Sequence, residues 1–159
     1  YGTLSKAPAA IGGYCAGSRA LVQYLRYYSR TYFFSTSIPA PVVAGLIEVL
    51  KLMKEDQGGR AALWENIAYK LQAFKALGFD TGHTESAVIP LVIGDEQKLG
   101  DIHNELRRRG VFTNIVTYPA VRRKECRLRV SIMSSLTKAE MDAALAVFAE
   151  VGRQYGVIP

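Results

Sequence analysis

With 159 residues, 49% hydrophobic and 21% charged, the chain is long and apolar enough for a globular domain with a sizeable core. It holds no apolar run of membrane-spanning length and no signal-peptide pattern, and Cys15 and Cys126 lie far apart without metal-ligand spacing, which predicts a reducing, cytoplasmic setting with no disulfide framework and no metal. The net charge of +6 gathers in Arg107-Arg108-Arg109 and Arg122-Arg123-Lys124; no stacking aromatics interleave with them, so nucleic acid is not expected, while solvated faces or a basic entrance for a phosphorylated substrate both fit.

The chain opens with Tyr1-Gly2-Thr3-Leu4-Ser5-Lys6-Ala7 and continues to the pair Gly12-Gly13. Lys6 has no charged neighbour in sequence until Arg19. Burial of such a lysine would favour the free amine, a nucleophile toward carbonyls, and the chemistry this suggests is a Schiff base. Thr3 and Ser5 could offer hydroxyls to a phosphate, and the glycines would allow close backbone approach. The residues alone equally allow a snorkelling strand-end lysine.

Ser18 is placed to cap a helix to about residue 30, with Leu21, Tyr24, Leu25 and Tyr28 on one face. The aromatic, β-branched run from Thr31 to Phe34 predicts a short extended segment, and Ser37 with Pro39 predicts the start of a helix over 39–54. That helix carries Val42, Val43, Leu46, Val49, Leu50 and Met53, an apolar face broad enough to predict burial between layers. Gly58-Gly59 reads as a break and a domain boundary, giving domains 1–57 and 58–159.

Beyond the break, a helix over 60–77 is expected from Leu63, Ile67, Leu71 and Phe74, with Gly78 as its cap. Strands are expected over 87–93, 111–116 and 127–132, a helix from about Asp95 to Arg109, and a last helix opened by the capping-box spacing of Thr137 and Glu140. This order predicts a compact α+β layer. The strand period places Arg127 and Arg129 on one face, where a guanidinium suits a carboxylate; two solvated arginines on an edge strand are the plain alternative. His83 and His103 sit in different contexts, so neither is read as a ligand or a base.

Gly2-Thr3-Leu4-Ser5-Lys6-Ala7, followed by Gly12-Gly13-Tyr14, resembles the cofactor-lysine motif of the α-oxoamine synthases, enzymes that use pyridoxal 5'-phosphate (PLP). The resemblance runs to the last residue and is nearest to the serine palmitoyltransferase branch, with the 8-amino-7-oxononanoate synthase and glycine C-acetyltransferase branches close behind. It implies an α/β architecture, the C-terminal part of a fold-type I PLP-dependent transferase, with residues 1–57 ending the large cofactor domain and 58–159 forming the small α+β domain. It implies that Lys6 binds PLP covalently and moves the substrate's α-proton, and that Thr3 touches the cofactor phosphate. Ser35, with Thr36 beside it, is implied to reach the phosphate held by a second subunit, so the expected assembly is a homodimer with a shared active site. Arg129, the second arginine of Arg127-Leu128-Arg129, is implied to bind the amino-acid carboxylate, the other substrate being an acyl-CoA.

Departures from the family pattern are Pro8 and Ala9 after the lysine, Arg122 where a proline is usual after Pro119-Ala120-Val121, and Leu136 where a histidine is frequent. The family's ring-stacking histidine and its ring-nitrogen aspartate lie upstream of the lysine, outside these residues. The chain is therefore expected to correspond to less than half of a family member and to be inactive alone. A class I/II aminotransferase and a non-catalytic interaction subunit are the alternatives; the presence of Lys6 argues against the second.

Overall fold

The helix caps expected in the second half of the chain are realised. Asp95 accepts from the Lys98 amide at 2.7 Å and starts α5 (Glu96–Arg108). Thr137 and Glu140 exchange both bonds of a capping box at the head of α6 (Lys138–Gln154). Gly78 and Gly110 end α4 (Gly58–Leu77) and α5 in the left-handed region, at φ 95° and 84°.

The computed structural model describes residues 1–56 and 58–159, and the chain falls into two compact units, Tyr1–Gln57 and Gly58–Pro159. The first holds a minimal hairpin, β1 (Gly2–Thr3) with β2 (Gly13–Tyr14), and helices α1 (Arg19–Tyr28), α2 (Arg30–Phe33) and α3 (Ala40–Glu55). The second runs α4 (Gly58–Leu77), β3 (Val88–Val92), α5, β4 (Asn114–Val116), a short 3-10 turn, β5 (Arg127–Ser131) and α6. Its sheet has the order β3-β5-β4, antiparallel throughout, with Arg129 opposite both Pro90 and Asn114. The chain is thus mixed α/β, with small sheets.

Four expectations give way. The run from Thr31 is helical, not extended: with no strand beside it, its backbone bonds locally, Phe33 to Ser29 and Phe34 to Arg30, and its aromatics stay exposed. Gly58 and Gly59 lie in the first turn of α4, not in a break, since glycine costs less at the start of a helix than in its interior. The strand expected over 111–116 shortens to 114–116, because Val111 is drawn back by its amide bond to Leu106 at the end of α5. Ser37 does not cap α3 either; Pro39 takes the cap position, its carbonyl accepting from Val42 and Val43.

The expectation for α3 itself fails more instructively. Of its apolar face only Leu46 is buried, while Ile47, Leu50, Leu52 and Met53 are each more than half exposed. Within the first unit only the hairpin loop, Pro8 to Ile11, lies along part of that face, beside Val42, Leu46 and Val49.

The core belongs to the second unit. Ile67 and Phe74 of α4, Ile89 and Leu91 of β3, Leu99, Ile102 and Leu106 of α5, Leu128 and Val130 of β5, and Phe148 and Val151 of α6 are all buried together. Phe74, Phe79 and Phe148 meet edge to face, with centroids 5.0 to 6.3 Å apart, the arrangement the ring quadrupole favours. Asn66 donates from its side-chain amide to the carbonyls of Met133 and Leu136, 3.0 Å each, and so pins the turn after β5 to α4. Arg109 ties α5 to α6 through Glu105 and Glu150; the guanidinium groups of Arg108 and Arg109 hold the Glu105 carboxyl down at about 2.

Candidate functional site

The loop between β1 and β2 is closed by main chain. Thr3 pairs with Gly13 and Gly2 with Tyr14, the Leu4 amide donates to Gly12 at 3.0 Å, and the Ala10 amide to Leu4 at 2.9 Å. At its tip the Ala9 amide returns to the Lys6 carbonyl at 2.9 Å, with Ala9 left-handed at φ 52°. Side chains are excluded at the base: a Cβ on Gly13 would stand 2.8 Å from the Gly2 oxygen, and one on Gly2 would strike the Tyr14 ring. These glycines are thus required by close approach.

On this loop Thr3 Oγ1 and Ser5 Oγ lie 2.8 Å apart, the Ser5 amide donates to Thr3 Oγ1 at 3.2 Å, and Lys6 Nζ donates to Ser5 Oγ at 3.3 Å. An amine and two hydroxyls therefore form one exposed cluster on a backbone-built support. Lys6 is exposed, so the burial expected for it is not supplied by its own unit. Ser35 and Thr36 are also exposed; they line one groove with Gly12, Gly13 and Ile38. Thr3 and Lys6 are thus brought together through Ser5, and Ser35 and Thr36 through the Gly12-Gly13 end of the hairpin.

In the second unit, Arg127 and Arg129 share the exposed face of β5 but differ in commitment. Arg127 donates from Nε to the Glu125 carbonyl at 2.7 Å and stands 3.6 Å from the Glu125 carboxylate. The Arg129 side chain is exposed and makes no hydrogen bond or ion pair among the described residues, although Glu85 shares its groove. That groove, about 330 Å³, is also lined by His83, Thr84 and Ser86. Arg129 is the uncommitted fork, the property a carboxylate-binding arginine needs. His103 is engaged with Thr113 Oγ1 at 3.1 Å, and no cluster of side chains able to hold a metal exists among the described residues.

One unusual residue escaped the sequence reading. Lys70 of α4 is only 3% exposed; Nζ donates to the Met141 carbonyl at 3.2 Å and lies over the Phe74 and Phe148 rings. Desolvation pushes its pKa down to about 8, against the pull of the Asp142 carboxylate. The available signal was position: Lys70 falls in line with Leu63, Ile67 and Phe74, inside the apolar stripe.

The amine, the paired hydroxyls and the glycine support suit an aldehyde-bearing, phosphorylated cofactor such as PLP. Comparison with known proteins points the same way. The 8-amino-7-oxononanoate synthase of Thermoanaerobacter pseudethanolicus is 39% identical over 157 residues, covering 99% of this chain and 40% of that protein. The 4-hydroxy-2,2'-bipyrrole-5-methanol synthase PigH of a Serratia species is 40% identical over 98% of this chain and 24% of its own length. Among solved structures, the serine palmitoyltransferase of Sphingomonas wittichii superposes with a TM-score of 0.89 at 28% identity, covering 99% of this chain and 40% of that one. Another serine palmitoyltransferase structure, TM-score 0.89, contains PLP as an internal aldimine. The chain spans about two fifths of the length of the 8-amino-7-oxononanoate synthases it matches. Since the family model described as aminotransferase class I and II matches residues 1–148, and the similar proteins are α-oxoamine synthases, the chain belongs to the class I and II aminotransferase family.

Proposed function

We propose that the chain is the cofactor-lysine and carboxylate-binding part of a PLP-dependent acyl-CoA:amino-acid C-acyltransferase, which condenses an amino acid with an acyl-CoA to an α-oxoamine with loss of carbon dioxide. The observation that carries it is the Thr3, Ser5 and Lys6 cluster on its glycine-built hairpin. When bound, the cofactor supplies an electron sink for the carbanion at the substrate's Cα. Lys6 Nζ would hold the cofactor and would take the substrate's α-proton and return it. Thr3 Oγ1 would donate to the cofactor phosphate, with Ser5 orienting both neighbours. Arg129 grips the amino-acid carboxylate in a bidentate fork, which fixes the bond at Cα that breaks.

Ser35 and Thr36 serve the phosphate of a second subunit in a cytoplasmic homodimer. Their exposure beside Phe33 and Phe34, 63% and 83% exposed, supports this reading. The two cysteines are free, Cys15 exposed and Cys126 buried, as suits a reducing compartment. No helix among the described residues is long and apolar enough to cross a membrane.

Borohydride reduction in the presence of PLP, followed by peptide mass spectrometry, tests the assignment. One adduct on Lys6, absent in Lys6→Ala, supports it. Labelling scattered over the other lysines removes Lys6 from the role. In the protein that carries this part, release of free CoA separates acyl transfer from transamination.

A further inference from the structure

Lys70 has no part in the chemistry proposed above, yet it is the most deeply buried charged side chain of the second unit's described residues. It stands in the wall of a cavity of about 430 Å³, between the middle of α4, the N-terminal part of α6 and the place where β4 leaves β5. Because β4 pairs with β5 only up to Asn114 and Arg129, residues 110–113 diverge from Val130 to Ile132 and leave the space open. The walls are mainly apolar, with Val111, Phe112, Met133, Leu136 and Phe148 among them, and the volume lies in the range of small-molecule sites.

The charges around the cavity do not balance. An ammonium has three donors, and Lys70 finds one conventional acceptor, the Met141 carbonyl; its other neighbours are the Phe74 and Phe148 rings. Asp142 acts on it only at a distance, since the Asp142 carboxylate takes the Tyr69 hydroxyl. Glu140, also in the wall, has its carboxylate engaged by the Thr137 amide and hydroxyl. A buried cation that lacks a paired anion costs stability, and an anion that enters beside it recovers part of that cost, because the desolvation is already met.

We propose that this cavity is a binding site for a small carboxylate with an apolar tail, its carboxylate on Lys70 and its tail against Phe112, Met133 and Leu136. This site is separate from the PLP chemistry and does not need the cofactor. A neutral amphiphile fills the apolar walls but leaves the ammonium unpaired, and a cationic one adds a repelled charge.

The test uses the full 159-residue chain without cofactor and three probes of equal tail length, octanoate, octan-1-ol and octylamine, in isothermal titration at neutral pH. Saturable one-to-one binding of octanoate, tighter than octan-1-ol by about tenfold or more, with no binding of octylamine, is expected. Lys70→Met should erase the advantage of octanoate while octan-1-ol still binds. NMR of the lysine side-chain carbons in the unmutated chain gives a check that needs no variant: octanoate should shift one lysine signal, the one missing from Lys70→Met or, if that variant does not fold, from Lys70→Arg. Equal affinity for octanoate and octan-1-ol, no octanoate binding, or an octanoate response spread over the exposed lysines would overturn the site.

Discussion

The two units treat their apolar residues in opposite ways. In the second, α4, α5 and α6 each send buried side chains into a shared cluster with β3 and β5. In the first, α1 and α2 bury nothing and α3 buries Leu46 alone, while a tyrosine pair, Tyr24 and Tyr28, stacks in the open at 4.9 Å. Helix patterning is equally clear in both, so amphipathic sequence makes a helix but does not by itself provide the surface it buries against. The second unit carries both halves of its interface; the first carries one.

The largest expected break in this comparison comes from Phe74→Ala, which empties the centre of the aromatic trio and should cost about 3–5 kcal/mol in urea unfolding of the second unit. Leu50→Ala on α3 should change stability by no more than about 0.5 kcal/mol, the behaviour of a surface site. If Leu50→Ala approaches Phe74→Ala in cost, α3 is covered in solution and the contrast fails.

Lys70→Met should stabilise the second unit at neutral pH by about 1–3 kcal/mol by replacing a buried unpaired charge with an apolar chain of similar length. The pH dependence has a definite sign. The folded lysine titrates at about 8 and the unfolded one at 10.5, so between them the unfolded chain holds a proton that the folded chain has lost. The unmutated unit gains stability as pH rises through that window, and the advantage of Lys70→Met shrinks with it. A pH-independent difference in chemical denaturation would rule out desolvation as the cause.

Thr137→Ala removes one side of the capping box and should cost about 1 kcal/mol, read as a lower urea midpoint with unchanged slope. The matching change in the first unit, Ser18→Ala, removes the bond to the Leu21 amide at the head of a helix with no buried residue. Its effect should appear in local amide exchange of α1 and leave the second unit's exchange unaltered.

These contrasts also mark what the amino-acid sequence could convey. Asp95, Thr137 with Glu140, Gly78 and Gly110 act through bonds or dihedrals within a few residues, so their roles were legible locally. The pairing of β1 with β2 was not, because strands of two residues have no period to detect. The short helix over Arg30–Phe33 misled because aromatic and β-branched residues favour strands only where a neighbouring strand exists. At the candidate site, Arg127 and Arg129 were correctly set on one face by the strand period, but which of them is committed depends on Glu125, a contact made by the preceding turn. Lys70 was passed over because lysine is read as a surface residue, and only the three-dimensional closure of α4 on α6 removes it from water.

The hairpin that carries Lys6 is held by backbone pairs and by glycines that leave no room for a Cβ, so the course of its loop is set mostly by main chain, the left-handed Ala9 and the Thr3 hydroxyl that accepts from the Ser5 amide being the exceptions. Substitutions at Ser5, Lys6 and Ala7 can therefore change the chemistry displayed while leaving the path that displays it. A lineage built on such a loop can explore new hydroxyl and amine arrangements one position at a time, with its foldedness guarded elsewhere.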